Sequence, residues 1–196
     1  MFNGMINIDE KISDEDLVEL IRNKDKELYS FVIDRYEKRL KAYIRRLTNN
    51  SNEVDDLVQQ ALVNTFIALQ SFESNKKFSS WIYRIAHNLT INWLTKKKAD
   101  IFLSEEEGLA DSIKSDIDIH SEIIDGETSR HLTEAINKLP EKFKEPFILK
   151  YIEERSYEEI SDILRKPKNT VGTMISRAKG LLKKELEKIY GEEYKK

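Results

Sequence analysis

Apolar and polar residues alternate with a helical period along almost the whole chain. Apolar positions recur every three or four residues in eight separate segments, which is the spacing of one buried face on an α-helix. Four of these segments precede residue 98 and four follow residue 130. Signals for β-strands are nearly absent, and the sequence contains only 3 prolines and 6 glycines. The pattern therefore predicts an all-α protein.

The first four segments have recognisable starts and stops. Ser13 precedes three acidic residues, a pattern typical of a capped helix start, and Asp25 is expected to cap a second, longer helix. Residues 48–52 read TNNSN, which indicates a turn. A third helix is predicted from its acidic start at Glu53, and a fourth follows the polar residues 71–77. Together these segments predict a four-helix N-terminal domain.

The start of the fourth helix combines aromatic rings with cations. The rings belong to Phe72, Phe78, Trp81 and Tyr83, and the cations to Lys76, Lys77, Arg84 and Lys96 to Lys98. Rings that stack on unpaired bases, beside cations that hold phosphates, are what binding of single-stranded nucleic acid requires. The polar face of the same helix carries Arg84, Asn88 and Asn92. We therefore interpret this helix as a possible reader of nucleic acid.

The segment near the C-terminus has the pattern of a helix-turn-helix motif. Ser156 and Glu159 form a capping box for one helix, and residues 166–168 make the turn. Asn169 or Thr170 is expected to cap the next helix, whose N-terminal face would enter the major groove. The candidate contacts to bases or phosphates on this helix are Lys168, Asn169, Thr170, Thr173, Met174, Ser176 and Arg177.

Between the two helical parts, the periodicity fails and the charge changes sign. The net charge is −3 overall, but it is +7 over residues 35–98, −9 over 99–129 and +4 over 130–190. Two basic blocks suit a polyanionic ligand, and the acidic segment between them buries too little apolar surface to fold alone. We predict a domain at 1–98, a flexible acidic linker at 99–129, a second domain at 130–190 and a tail at 191–196.

Composition excludes several other classes of function. The chain has no cysteine, no glycine-rich phosphate loop, and three histidines without metal-ligand spacing. We therefore predict no catalytic residues, no cofactor and no metal. The N-terminus lacks the apolar run of a signal peptide, and no segment approaches the length of a membrane span. We expect a cytoplasmic protein without membrane insertion.

Two motifs in this order resemble a known family. The runs DDLVQQALVNTFIALQSF and FSSWIYRIAHNLTINWL are similar to region 2 of the extracytoplasmic-function (ECF) group of bacterial sigma factors. The run LPEKFKEPFILKYIEERSYEEISDILRKPKNTVGTMISRAKGLLKKEL is similar to their region 4. The resemblance extends from Ser13 to Leu186. It implies a non-enzymatic subunit that binds core RNA polymerase, directs it to promoters and assists melting.

The resemblance also implies roles for individual residues. Contact with the polymerase β′ clamp helices would fall to Asp55, Asp56, Leu57, Gln59 and Gln60. Contact with the melted minus-10 element would fall to Lys76, Lys77, Phe78, Trp81, Tyr83, Arg84, Asn88 and Asn92. The surface from Lys168 to Arg177 would read the minus-35 element. The implied partners are core polymerase, through its β′ clamp helices and β flap, promoter DNA and an anti-sigma factor.

Some positions depart from the family pattern, and two other interpretations stay open. Gln60 replaces a common glutamate, and the turn of the helix-turn-helix has Arg165 and Lys166 instead of a glycine. Gly172 and Gly180 each weaken the second helix by about 1 kcal/mol relative to alanine. One alternative is a free-standing helix-turn-helix regulator, which would bind duplex DNA without polymerase. The other is a helical protein-binding module whose aromatic residues form only the core.

Overall fold

The computed structural model describes residues 12–49, 51–106 and 127–191, and within them every regular element is a helix. The eight α-helices are α1 (Asp14–Asn23), α2 (Tyr29–Thr48), α3 (Val54–Ala68), α4 (Phe78–Glu106), α5 (Glu127–Asn137), α6 (Glu141–Tyr151), α7 (Tyr157–Leu164) and α8 (Lys168–Tyr190). Two short 3₁₀ turns occupy Lys26–Leu28 and Leu69–Ser71. The prediction of an all-α protein is confirmed. No helix in these ranges is both long enough and apolar enough to cross a membrane.

The helix starts in the N-terminal half follow local capping chemistry. Ser13 caps α1, since its Oγ accepts a hydrogen bond from the backbone N–H of Asp16 at 3.1 Å. Asp25 does not cap the long α2 directly. Its carboxylate accepts from the N–H of Glu27 at 2.8 Å and caps the 3₁₀ turn, so that α2 begins only at Tyr29. The predicted cap is therefore present, but it serves a different element.

An aromatic cluster fixes the start of α4 against α2. Tyr36, Phe72, Phe78 and Trp81 pack with ring centroids between 5.3 and 5.7 Å apart. The backbone N–H of Phe78 donates to the carboxylate of Glu15 in α1 at 2.8 Å, which satisfies an otherwise orphaned amide of the first turn. The position of α4 is thus set by both packing and capping.

In the C-terminal half, α8 packs against α5, α6 and α7. The capping box is present: Ser156 Oγ accepts from the N–H of Glu159 at 3.2 Å, and the N–H of Ser156 donates to Glu159 Oε2 at 2.8 Å. Arg165 then ends α7 in the left-handed conformation, with φ 50°. These two local signals delimit the first helix of the helix-turn-helix.

The start of α8 differs from the prediction. Neither Asn169 nor Thr170 caps it; the residue before the helix is Pro167, with φ −54° and ψ 142°, and it makes no side-chain capping bond. The extended backbone at Pro167 allows the helix to begin at Lys168, and proline already has a helix-compatible φ. Asn169 and Thr170 consequently occupy the first turn of α8.

The boundaries of the connecting segment also differ from those expected. Helix α4 continues to Glu106, beyond the predicted domain end at residue 98, and α5 begins at Glu127. The rest of the predicted linker, 107–126, lies outside the described residues, as do 1–11 and 192–196. The two groups of helices contact each other, because α4 packs against α7 and α2 against α6.

Candidate nucleic-acid interface

The N-terminal half of α8 separates apolar from polar residues onto opposite faces. Val171, Ile175 and Ala178 are buried and attach the helix to the rest of the domain. The exposed face carries six of the seven residues predicted to contact DNA: Lys168, Asn169, Thr170, Thr173, Ser176 and Arg177. The seventh, Met174, is half-buried and packs against the core. This geometry leaves a polar helix face free to enter a groove of DNA.

A shallow concave surface lies between this face and α7. Its lining residues are Tyr157, Lys168, Asn169, Gly172, Thr173, Ser176 and Arg177. Of these, Tyr157 and Gly172 were not predicted from the sequence, because helical periodicity does not show what stands across a helix-turn-helix. Gly172 keeps the surface open where a side chain would otherwise begin. A Cβ added at Gly172 would be 3.9 Å from Tyr157 Cε1, which is an ordinary contact distance.

One cation on this surface is already paired within the protein. The Lys168 ammonium contacts the Glu158 carboxylate, and this hydrogen bond is the main cause of the lowered pKa of Glu158. Both side chains are exposed, so the pair adds little to stability. A DNA phosphate near Lys168 therefore competes with Glu158 for this cation.

The polar residues predicted for the minus-10 element lie on α4 and the loop before it. Arg84, Asn88 and Asn92 are spaced four residues apart on α4; Asn88 and Asn92 are exposed, and Arg84 is half-buried. In the loop, Lys76 pairs with Glu73 at 3.1 Å, and Lys77 pairs with Glu159 of α7 at 3.2 Å. The structure thus brings the polar candidates onto one side of α4.

The aromatic candidates on α4 are all buried. Phe78 and Trp81, with relative exposures of 0% and 8%, belong to the aromatic cluster under α4. Tyr83, with 0% exposure, packs against Tyr43 with ring centroids 5.1 Å apart, and the Arg155 guanidinium lies 4.3 Å from the Tyr83 ring centroid. In this arrangement none of the three rings is open to a base. Periodicity alone did not reveal this, since the cover on Tyr83 comes from the other half of the chain.

Tyr83 is also held at its hydroxyl by the C-terminal half. The hydroxyl donates to Glu153 Oε2 at 2.6 Å. Burial, followed by the nearby Glu153 carboxylate, raises the pKa of Tyr83 to about 12. The phenol therefore stays protonated at neutral pH and acts as a hydrogen-bond donor.

The residues predicted to contact polymerase lie at one edge of an apolar groove. Asp55, Asp56, Gln59 and Gln60 are exposed on α3, whereas Leu57 is buried at 6% exposure. The groove runs between α2 and α3, and its apolar lining consists of Tyr29, Ile33, Val58, Leu62, Val63 and Phe66. Further along α3, Ile67 is 72% exposed. This surface has the character of a protein-binding site rather than a nucleic-acid site.

Comparison with known proteins identifies the family. The family model Sigma-70 region 2 matches residues 32–99, and the model Sigma-70, region 4 matches residues 129–182. ECF RNA polymerase sigma factor SigW of Bacillus subtilis (strain 168) is 33% identical over 179 residues, which cover 88% of this chain and 96% of that relative. This protein belongs to the ECF sigma factors. The sigma-E factor of Haemophilus influenzae is 28% identical over 187 residues, covering 92% of this chain and 98% of the relative.

Solved structures agree with the fold of this sigma factor. The sigma factor RpoE from Bartonella quintana, determined with the anti-sigma factor NepR, superposes with a TM-score of 0.68 at 22% identity and covers 81% of this chain and 96% of its own. CnrH, determined with the cytosolic domain of CnrY, gives a TM-score of 0.64 at 20% identity and covers 89% and 97%. The expected family, its all-α fold and its function as a promoter-recognition sigma subunit are confirmed. Within the described residues, no three side chains converge to hold a metal ion.

Proposed function

We propose that this sigma factor acts through three surfaces and without catalysis of its own. The α2–α3 groove binds core polymerase, the exposed face of α8 reads the minus-35 element, and the α4 side binds the melted minus-10 element. The observation that carries this assignment is the division of α8 into a buried apolar face and an exposed polar face, with six predicted contact residues exposed. Side chains on such a face can reach base edges in the major groove.

Polymerase docking on α3 is supported by the combination of an apolar floor and a polar rim. Val63 and Phe66 are 45% and 39% exposed, and Asp55 and Gln59 line the same groove. A groove of this type suits the apolar face of a helical partner. The β′ clamp helices of core polymerase are the proposed occupant, and the C-terminal domain meets the β flap.

At the minus-10 element, Arg84, Asn88 and Asn92 supply hydrogen bonds and charge along α4, and Lys76 and Lys77 hold phosphates. Stacking of a flipped base on an aromatic ring returns about 1 to 3 kcal/mol. Breaking a step of duplex stacking costs a similar amount, about 1.4 kcal/mol on average. Binding energy alone can therefore drive melting once a ring becomes accessible.

The location and the partner of the protein follow from this role. The sigma factor works in the cytoplasm, where core polymerase is found. An anti-sigma factor is a further proposed partner, by analogy with RpoE and CnrH, whose structures were determined with NepR and with the cytosolic domain of CnrY. Such a partner would hold the sigma factor back from polymerase.

The proposal is tested by mixing the purified chain with bacterial core RNA polymerase and mapping transcript starts on genomic DNA fragments. We expect a stable complex and discrete starts. Asp55→Ala combined with Gln59→Ala should weaken the complex, and Glu187→Ala, a remote carboxylate on α8, should not. Leu57 is unsuitable as a probe, because it is buried and its truncation would disturb the core. Specific duplex binding by the chain alone, with no polymerase complex, would instead indicate a free-standing regulator.

A further inference from the structure

The two halves of the chain meet through a polar interface rather than an apolar one. On the N-terminal side it presents Tyr43, Arg46, Tyr83 and His87, from α2 and α4; on the C-terminal side it presents Glu145 of α6 and the turn residues Glu153 and Arg155. We refer to these seven residues as the domain latch. Every one of them is remote in sequence from its partners, so the contact exists only when the two halves dock.

Glu145 is the buried centre of the domain latch. Its side chain is only 9% exposed, and it accepts a hydrogen bond from the Tyr43 hydroxyl at 2.5 Å and contacts His87 Nδ1. Burial, then the Glu145 charge, raises the pKa of Tyr43 well above its ordinary value. A carboxylate at this depth is stable only while its donors are present. Those donors all belong to the other half of the chain.

Glu153 and Arg155 hold the second part of the domain latch. Glu153 accepts from the Tyr83 hydroxyl at 2.6 Å and from Arg46 at 3.2 Å. Arg155 lies over the Tyr83 ring and donates to Ser79 Oγ at 3.2 Å. Both partners therefore cover the surface of α4 that bears a predicted minus-10 residue.

The docked state also carries an uncompensated cost. Among the atoms of the described residues, Nε and Nη2 of Arg155 are buried without a hydrogen-bond partner. Leaving buried donors unsatisfied opposes docking, and separation of the two halves returns these groups to water. The contact is thus held by specific hydrogen bonds and is not sealed by a large apolar surface, which suits a contact that opens.

The docked geometry is too small for both promoter elements. A compact chain of 196 residues has a radius of gyration of about 16 Å, equivalent to a sphere about 42 Å across. Elements centred near positions −10 and −35 are separated by about 25 base pairs, or about 85 Å of duplex at 3.4 Å per pair. The two halves must therefore separate before α4 and α8 contact both elements.

We infer that the domain latch is an autoinhibitory contact that closes the free sigma factor, covers Tyr83, engages Lys77 through Glu159, and opens when core polymerase separates the two halves. This inference rests on the proposed function for what the open form does. The closed state itself depends only on contacts within this chain. It gives the free protein a reason not to capture single-stranded DNA before it has joined polymerase.

The test measures the distance between the halves in the full-length free protein. The chain has no cysteine, so Asn52→Cys and Lys184→Cys, at exposed positions in different halves, provide sites for a fluorescence donor and acceptor. We expect high energy transfer in the parent chain and lower transfer with Glu153→Lys, which places a cation between Arg46 and Arg155. Glu185→Lys is the matched control. It makes the same charge change in the C-terminal half, where Glu185 contacts only Lys138 and Lys188.

Arg46→Glu is a second, independent variant on the other side of the latch. It should open the chain alone, and closure should be partly restored when it is combined with Glu153→Lys. Circular dichroism checks that each variant keeps its helix content. Equal energy transfer in the parent and in both folded variants would overturn the inference.

A second readout is affinity for a fluorescent random-sequence 20-nucleotide single strand. If the closed form outnumbers the open form by about ten to one, opening strengthens binding about tenfold. Glu153→Lys should therefore exceed Glu185→Lys by about that factor. Addition of core polymerase should lower the energy transfer of the parent chain. A chain that is closed when free and opened by Glu153→Lys, yet never binds polymerase, would uphold the latch and count against the proposed function.

Discussion

Arg165 adopts a backbone conformation that favours glycine. It ends α7 with φ 50° and ψ 44°, in the left-handed region, where most side chains cost about 1 to 2 kcal/mol. The sequence lacks a glycine in this turn, and the structure shows which residue takes its place.

Replacing Arg165 by glycine should therefore stabilise the protein. We expect Arg165→Gly to raise the free energy of unfolding by about 1 kcal/mol, measured by urea denaturation. Lys166→Gly is the adjacent control, because Lys166 is absent from the positive-φ residues of the described chain. It should lower stability by about 0.5 to 1 kcal/mol. Equal effects of the two glycines would contradict this account.

Lys144 couples stability to pH at the junction of the two halves. It is 4% exposed and contacts Asn49 at the end of α2, with Lys98 of α4 and Glu141 of α6 lining the same pocket. Burial lowers the pKa of Lys144 to about 8, an effect that Glu141 partly opposes. The folded state thus binds this proton less tightly than the unfolded chain does.

The sign of the pH effect follows from this shift. Because the unfolded chain holds the proton up to about pH 10.4, stability should rise with pH from about 8 toward that value. Between pH 7 and 9.5 we expect a gain of about 2 kcal/mol in the parent relative to Lys144→Met. Urea denaturation at both pH values measures it. Parallel pH curves for the two proteins would show that Lys144 does not titrate in this way.

At the level of the single helix, α8 carries two glycines inside a continuous run from Lys168 to Tyr190. A Cβ added at Gly180 has no atom within 4 Å. Gly180→Ala should therefore raise the free energy of unfolding by about 1 kcal/mol, through helix propensity alone. Thermal denaturation measures the gain. Ser176→Ala, an exposed change on the same helix, serves as the comparison and should alter stability by less than about 0.5 kcal/mol.

Gly172 differs from Gly180 in where its side chain would point. It lines the surface between α7 and α8, and an added Cβ would lie 3.9 Å from Tyr157. Gly172→Ala should stabilise the helix about as much as Gly180→Ala, yet weaken promoter binding by the polymerase complex, whereas Gly180→Ala should leave binding unchanged. Footprinting of the complex on a mapped promoter compares the two. Equal binding by both variants would mean that DNA does not approach Gly172 closely.

Across the whole molecule, the two halves share one continuous set of buried residues. Because docking links them, we expect a single calorimetric unfolding transition in the parent chain. Glu153→Lys should split it into two, one for each half, and Glu185→Lys should preserve one. Two transitions in the parent itself would show that the halves unfold independently.

Local chemistry explains which features were predictable. Helical periodicity identified every helix of the described chain, and the capping pattern of Ser156 and Glu159 placed the start of α7 correctly, because both depend on residues close in sequence. The exposed face of α8 was predictable for the same reason. Helix ends were less so: Pro167 rather than Asn169 precedes α8, and α4 continues to Glu106 because no proline or glycine stops it.

The sequence by itself determined the helical class, the order of the two motifs and the polar face of the recognition helix, since each is written in residues a few positions apart. Only the tertiary structure decided that Phe78 and Trp81 lie in a core and that Tyr83 lies beneath Arg155. An aromatic residue has the same periodicity whether it stacks on a base or on another ring. What covers it comes from residues distant in the chain, and only folding brings them together.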